Sequence, residues 1–594
     1  MAQEVLVVWS EEACAVPPES VLDIRANFRQ IAGAGVAGAR DLAEWRSADG
    51  TIFALWSDGL FDEDTLISSQ ALPHRLSLGH QFGSTDARSA LSTPLESVAR
   101  DADGRFALIE LADTVRYLTD PAGLYPLYSR RWFERGRAFF ALSNRAPVLR
   151  LATDALSLDA LRNFLALGCA LDDETLYANV RREPPGVLST VTSDGSVTRQ
   201  LAGALSPEDF ADNSDAIAAS EQLMGALASG LATIPGQEWL LQLTGGNDSR
   251  LVLSALLRRG ERIASATFAL PGFPGYPLTE DIEIAAMLAR ELGFDHKVYD
   301  FAQFGQTLSH ASSFETLRLR SPGNVCLSDA IEFDLPVRPG LTLIDGVGGE
   351  LGRGSFDYQL GVRGDLSIAK SPREFAENYV SRMTYQRSNR PLIGQAFLAS
   401  LTDEVSAKSD SFVSLGFAPE HLNDVWFLKY LATWHGSKTS LVDPLRRVFS
   451  PLVSRALWPH YFSYLRETNS EPISRRMLAA LAGPHALGAI PVFTRGAQYG
   501  GAAERLRRRA WLEHRRTIER SSDDVVDHEH VRAKRLAALG VEAVEGFAPG
   551  LLATDAVVDL LQQRDTAPAR VERVFTARLA TLALHLTDVE PIGP

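Results

Sequence analysis

The most constraining stretch of the chain is Trp239 to Leu257, WLLQLTGGNDSRLVLSALL, where a short apolar run, a Gly-Gly pair and a helical pattern follow one another without spacers. The apolar run reads as a buried strand and the segment after the glycines as a helix. Gly245 and Gly246 permit positive φ and a close approach of backbone to ligand. The free amides and dipole of the next helix attract phosphate or pyrophosphate. Thr244 and Ser249 add hydroxyl donors. Asp248 is the discordant member, because a carboxylate repels phosphate unless a divalent cation lies between them. Mg²⁺ resolves the conflict, since it takes one or two carboxylates together with phosphate oxygens. The same residues also read as an aspartate capping an ordinary helix after a glycine turn.

The surroundings of this segment alternate. Helical spacing over Asp215 to Leu231 precedes it; a strand at Ile263 to Leu270, a helix at Glu280 to Leu292 and a strand at Leu341 to Ile344 follow. That order implies a parallel sheet with crossover helices. Beyond Ser371 the pattern is mainly helical, and the Arg-rich stretch Arg505 to Arg520 reads as a solvated face rather than a nucleic-acid site. Before Leu201 the texture differs, with short apolar runs broken by Gly, Asp and Pro, as in Gly104 to Asp120 and Arg137 to Asn144. These read as antiparallel strands. The expected organisation is α/β in two domains, 1–205 and 206–594.

Length and charge narrow the function classes. The 594 residues are 45% hydrophobic and 22% charged, enough for large cores, and the net charge of -15 argues against a broad nucleic-acid or anionic-membrane surface. Three cysteines, Cys14, Cys169 and Cys326, have no metal-ligand spacing and form no disulfide framework, which fits a reducing cytoplasm. The start MAQEVLVVWS lacks the pattern of a signal peptide, and no apolar run approaches the roughly 20 residues that span a bilayer. The expectation is a soluble, unprocessed chain.

The loop Thr244-Gly245-Gly246-Asn247-Asp248-Ser249 resembles the SGGxDS pyrophosphatase loop of the asparagine-synthetase-like ATP-dependent ligases. It is unlike a Walker A motif, having no GK[ST] ending. Further segments agree in order. Ser265 to Phe268 falls where that family places backbone contacts to adenine. Glu280-Asp281 opens a helix ending in ARELGFDHKVYDF, similar to the family's A-x-x-L-G-x-x-H element. LIDGVGGELGRGSFDY, Leu343 to Tyr358, resembles the second metal-binding loop, with Glu350 where an Asp is usual; the longer side chain shifts the metal's placement. Two carboxylates about 100 residues apart, each after a strand and a glycine turn, are what a parallel sheet brings to one edge.

The resemblance implies an adenine-nucleotide α-hydrolase-like sheet with a large helical region. It places ATP at Leu243, Thr244, Gly245, Gly246, Asn247, Asp248, Ser249, Thr267, Phe268, Gly346 and Gly348, and Mg²⁺ on Asp248 and Glu350. It also implies that Asp248, Glu350 and Arg495 are catalytic. Arg495, in FTRGAQYGG, stands in for the lysine of the family's R-x-K-x-G stretch. Arg250 and Arg353 follow the two loops; Arg250 reads either as a phosphate contact or as a paired residue on the helix surface. His435, Lys438 and Asp443 occupy a segment that borders the substrate pocket in relatives, where His435 reads as structural. Tyr358 is a candidate for an acid–base dyad.

The N-terminal half resembles the family's glutaminase-type (Ntn-like) β-sandwich in a degenerate form, through GRFALIELADTVRYLTDPAGLYPLYS and the linker Phe164 to Gly186. Glutamine-dependent members carry a cysteine after the initiator Met. Here residue 2 is alanine and Cys14 is too far along, so no glutaminase activity is expected. Relatives without that cysteine include β-lactam synthetases and lasso peptide cyclases, and the length and helical C-terminal region resemble the latter. The implied activity is adenylation of a carboxylate and closure of a macrolactam on a linear core peptide. Implied partners are a leader peptidase and a leader-binding protein, with no nucleic acid and no membrane. Other readings are a small-molecule ligase of β-lactam-synthetase or amidotransferase type, and a degenerate scaffold that binds nucleotide or peptide.

Overall fold

The computed structural model describes residues 4–13, 17–33, 42–57, 74–83, 92–211, 216–232, 238–258, 264–269, 278–300, 341–356, 368–383, 393–442, 447–467 and 528–547, with a few single positions near the C-terminus. It is a mixed α/β protein with antiparallel sheets in its N-terminal part and a parallel sheet after them.

The N-terminal part has helix α1 (Glu19–Gly33) and α2 (Leu95–Asp101) with strands β1 (Val5–Ser10), β2 (Leu42–Arg46), β3 (Ile52–Ser57), β4 (His74–Gly83), β5 (Ala102–Leu111), β6 (Val115–Thr119), β7 (Tyr128–Glu134), β8 (Arg137–Ser143), β9 (Arg181–Arg182), β10 (Val187–Val191) and β11 (Val197–Leu201). One sheet has the order β2-β3-β1-β8-β7-β9, the other β11-β10-β6-β5-β4. Alternation along the strands builds the layers. Val5, Val7 and Trp9 of β1 meet Leu76, Ala107, Ile109 and Tyr117 of the other sheet in a shared core. Their neighbours Leu6 and Val8 face the opposite way, onto Val21, Ile24 and Phe28 of α1. Phe106, Leu108, Leu118 and Leu188 turn outward onto Leu95 and Val98 of α2. The result is helix, sheet, sheet, helix. Each fully buried Leu or Phe in these layers contributes roughly 1.5–3 kcal/mol of transfer free energy.

Helix α3 (Leu158–Leu167) leads out of this part; the Ser157 hydroxyl accepts the Ala160 N–H at its start, and Gly168 at φ 85° ends it. Helix α4 (Ala216–Ala232) then precedes strand β12 (Glu238–Gln242), α5 (Asn247–Arg258), β13 (Ala264–Ala269), α6 (Leu278–Leu292), β14 (Asp295–Asp300), β15 (Leu341–Ile344) and, after helices, β16 (Arg447–Phe449). All four pairings are parallel, in the order β14-β13-β12-β15-β16. The chain thus runs outward from β12 to β14, then returns to β12's other side with β15. Such a reversal leaves a crevice at the carboxyl ends of the two strands that flank it.

The remaining described elements are mainly helical: α7 (Pro372–Met383), α8 (Gln395–Ser414), α9 (Leu422–Tyr430), a π-helical segment Leu431–Gly436, α10 (Ser437–Val442), α11 (Trp458–Glu467) and α12 (His528–Phe547). Among the described residues no helix is long and apolar enough to cross a membrane.

Candidate functional site

The two glycine loops meet at this reversal of the sheet. The first leaves β12 with its ladder extended by one residue, the Leu243 N–H donating to the Ala266 carbonyl at 2.8 Å. The Thr267 hydroxyl donates to the Leu243 carbonyl at 2.7 Å, tying the loop's entry to β13. Ser249 closes the loop: its Oγ accepts the Thr244 N–H at 3.1 Å and lies 3.1 Å from Thr244 Oγ1. Thr244 Oγ1 in turn accepts the Gly246 N–H at 3.2 Å. Both hydroxyls are therefore engaged within the loop, where they fix its shape. Helix α5 begins at Asn247, which places Asp248 inside its first turn.

Arg250 is 0% exposed and donates from Nη2 to the Gly245 carbonyl at 3.3 Å. It is therefore neither a helix-surface residue nor exposed to a ligand. Its guanidinium holds the back of the loop. Leu251, Val252, Leu253, Ala255 and Leu256 are all buried, so α5 is anchored on several faces and its N-terminus is a fixed point.

The second loop leaves β15 at Asp345, whose N–H donates to the Phe449 carbonyl at 3.0 Å. Asp345 Oδ1 accepts the Val347 N–H at 3.1 Å, shaping the turn. Gly348 has φ 94°, and a Cβ there would fall 2.5 Å from Val453 Cγ2, so its glycine serves backbone conformation and packing. Gly346 and Gly349 face the other loop. A Cβ on Gly346 would come within 2.9 Å of the Ser249 nitrogen, and one on Gly349 within 2.2 Å of Asp248 Cγ. The Asp248 side chain is thus seated against the turn that carries Glu350.

Residues far apart in sequence, Asp248 and the Gly346 to Glu350 turn, are brought together. Glu350 contributes a buried oxygen, Oε2, with no hydrogen-bond partner among the described residues, and Asn247 Oδ1 shares that condition. Leaving a buried acceptor unmet costs about 1–3 kcal/mol, more for a charge, so a cation beside Glu350 would relieve a real penalty. Among the described residues no group of three or more His, Cys, Asp or Glu side chains could hold a metal ion. Mg²⁺ needs fewer, since phosphate and water complete its shell. The donor set fits.

On β13, Ser265 Oγ lies 2.8 Å from His296 Nδ1, and Thr267 Oγ1 lies 3.4 Å from His296 Nε2. Burial holds the His296 imidazole below the ordinary histidine range. Phe268 continues β13, paired with Tyr299 of β14. Arg495, Tyr358, Asp443 and the Arg353 side chain lie outside the described residues, as do Ala2, Cys14, Cys326 and Arg505 to Arg520.

No protein-family model and no curated protein matches the chain.

Gly349 is legible in the sequence only as part of a glycine run and Asp345 only as the residue before that run, whereas His435, read from the sequence as structural, is buried and hydrogen-bonded to Ser450. His435 Nε2 lies 3.4 Å from Asp345 Oδ2, a contact between residues 90 apart that no local pattern announces.

Proposed function

We propose that the chain is an ATP-dependent, AMP-forming amide-bond ligase, asparagine-synthetase-like in type, that closes a macrolactam on a linear peptide as lasso peptide cyclases do. The observation that carries the reading is the seating of Asp248 against the Gly346 to Glu350 turn at the sheet's point of reversal. The two face-to-face antiparallel sheets, each with a helix on its outer face, support a glutaminase-type origin for the N-terminal half.

In the proposed reaction the substrate carboxylate displaces pyrophosphate from the α-phosphorus of ATP, and an amine then displaces AMP to leave the amide. Mg²⁺, when bound, neutralises phosphate charge during the displacement. Asp248 and Glu350 would hold that ion. The Thr244 to Ser249 loop would present backbone amides to the phosphates, its shape kept by the Thr244–Ser249 bonds and by Arg250 behind it. The nucleotide base is assigned to Thr267 and Phe268, and Arg495 is the proposed cation at the reacting phosphate. With both groups on one peptide, proximity supplies much of the rate. A leader peptidase and a leader-binding protein would supply the peptide.

The test incubates the protein with MgATP and linear peptides bearing a free N-terminal amine and an Asp or Glu side chain. Pyrophosphate should appear with a product lighter by one water. A product carrying an added amine or ammonia would move the reading to an amidotransferase type. Asp248→Ala should remove at least about 99% of pyrophosphate formation while the far-UV spectrum is unchanged. Near-normal turnover in that variant would remove the metal site.

A further inference from the structure

We propose that His435 is a positioning residue: it holds Asp345 and, through it, keeps the Gly346 to Glu350 turn seated against Asp248. The inference rests on the nucleotide-binding reading above and adds to it how the second loop is fixed.

His435 is 2% exposed and lies in the π-helical segment Leu431–Gly436, one residue before its end. Its Nε2 lies 3.4 Å from Asp345 Oδ2 and 2.9 Å from Ser450 Oγ. Asp345 is itself buried, and its other oxygen accepts the Val347 N–H. The carboxylate therefore links the imidazole to the backbone of the turn. Nδ1 has no hydrogen-bond partner among the described residues, so Nε2 is the nitrogen through which the ring meets both Ser450 and Asp345. Burial, aided by the Lys438 and Arg105 charges, holds this imidazole well below the ordinary histidine range, so its approach to Asp345 is the polar contact of a neutral ring rather than an ion pair, with Ser450 Oγ as the ring's hydrogen-bond partner. Ser450 and Asp345 share the same nitrogen, so the three do not form a proton relay.

The histidine's own place is set by the N-terminal half. Arg182 Nη2 donates to the Gly123 carbonyl at 2.6 Å and Nη1 to Ser437 Oγ at 3.3 Å. Arg105 Nε donates to Thr439 Oγ1 at 3.2 Å, and Arg145 Nη1 to the Ser440 carbonyl at 2.6 Å. All three arginines are at most 4% exposed. Gly436 lies so close to this surface that a Cβ would fall 2.9 Å from the Gly123 carbonyl. A π turn inserts one extra residue into a helix and recurs at functional sites. Here it sits between a three-arginine clamp and the entry to the second loop. The N-terminal half thereby has a task at this site, the bracing of His435.

The test titrates MgATP into the full-length protein by calorimetry, with melting curves of each variant taken without nucleotide. His435→Asn, whose amide stops short of the Nε2 position, should weaken binding roughly tenfold or more. His435→Gln places an amide N–H near that position and should restore affinity to within about threefold. Asp345→Asn, nearly isosteric and so the safer fold, should also weaken binding, and adding His435→Gln should recover it, since a glutamine can turn its carbonyl to the new amide. Wild-type affinity in both His435→Asn and Asp345→Asn, or no recovery in either glutamine variant, would overturn the inference and leave the nucleotide reading intact. A wild-type protein that fails to bind MgATP would remove the nucleotide reading itself.

Discussion

At position 349 a single methyl group decides where the Asp248 carboxylate sits. A new Cβ would strike Asp248 Cγ and Oδ1 at 2.2 Å and Asp248 Cβ at 2.8 Å, so the carboxylate must swing away and the stem of the side chain must also give slightly. Gly349→Ala should therefore cost only about 1 kcal/mol of stability yet weaken MgATP binding by roughly tenfold or more, read by urea melts and calorimetry on the same sample. Gly346→Ala differs in kind. Its Cβ meets the Ser249 nitrogen and the Asp248 carbonyl carbon, which are backbone, so the loop itself must move and about 1–3 kcal/mol should be lost. Equal stability losses in the two variants would contradict this assignment of roles.

Among elements, the register of β12 with β13 controls the first loop's starting point. Thr267 is both a β13 residue and the donor to the Leu243 carbonyl, so Thr267→Val keeps the branched shape and removes that bond together with the longer 3.4 Å contact to His296 Nε2. The expected loss is about 1 kcal/mol in the urea unfolding free energy. An unchanged midpoint would show that the loop entry is held by the ladder alone. Much at this scale was legible in the sequence. The apolar runs at Trp239 to Leu243 and Ile263 to Leu270 and the helical spacing between them predict β12, α5 and β13 to within two or three residues, because burial and periodicity leave a local imprint. Strand β16 is three residues long, below any usable period, and emerged only with the structure. The same holds for Arg250. A charged residue at a helix start reads as exposed unless a carbonyl such as that of Gly245 waits for it, and that carbonyl's direction is set by the loop's conformation.

For the whole molecule, the junction between the antiparallel and parallel parts is a buried polar surface as well as an apolar one. His80 on β4 sets its ring edge-on to Phe449 of β16, with centroids 5.3 Å apart, and joins the two parts at a point next to the second loop. Burial, with the charges of Arg105 and Arg447 adding to it, pushes its pKa down to about 3. The sign follows from proton counting. Below pH 6.5 the unfolded chain binds a proton at His80 that the folded chain refuses, so stability falls with pH through that window until the folded-state value is reached. The loss from this residue is up to about 1.4 kcal/mol per pH unit. Urea midpoints should drop between pH 7 and pH 5, and His80→Phe, which keeps an aromatic ring against Phe449, should drop less steeply. Parallel slopes would mean that His80 is hydrated in the folded chain.

The proposed reaction requires a cation and phosphates together between the two loops. A crystal of the full-length chain grown with a non-hydrolysable ATP analogue and Mn²⁺, with data collected near the manganese edge, tests it most directly. The predicted result is one anomalous peak within coordination distance of both the Asp248 and Glu350 carboxylates, with the β- and γ-phosphates on the Thr244 to Ser249 amides. Nucleotide bound elsewhere, or manganese absent from that pair while the analogue occupies the loop, would contradict it.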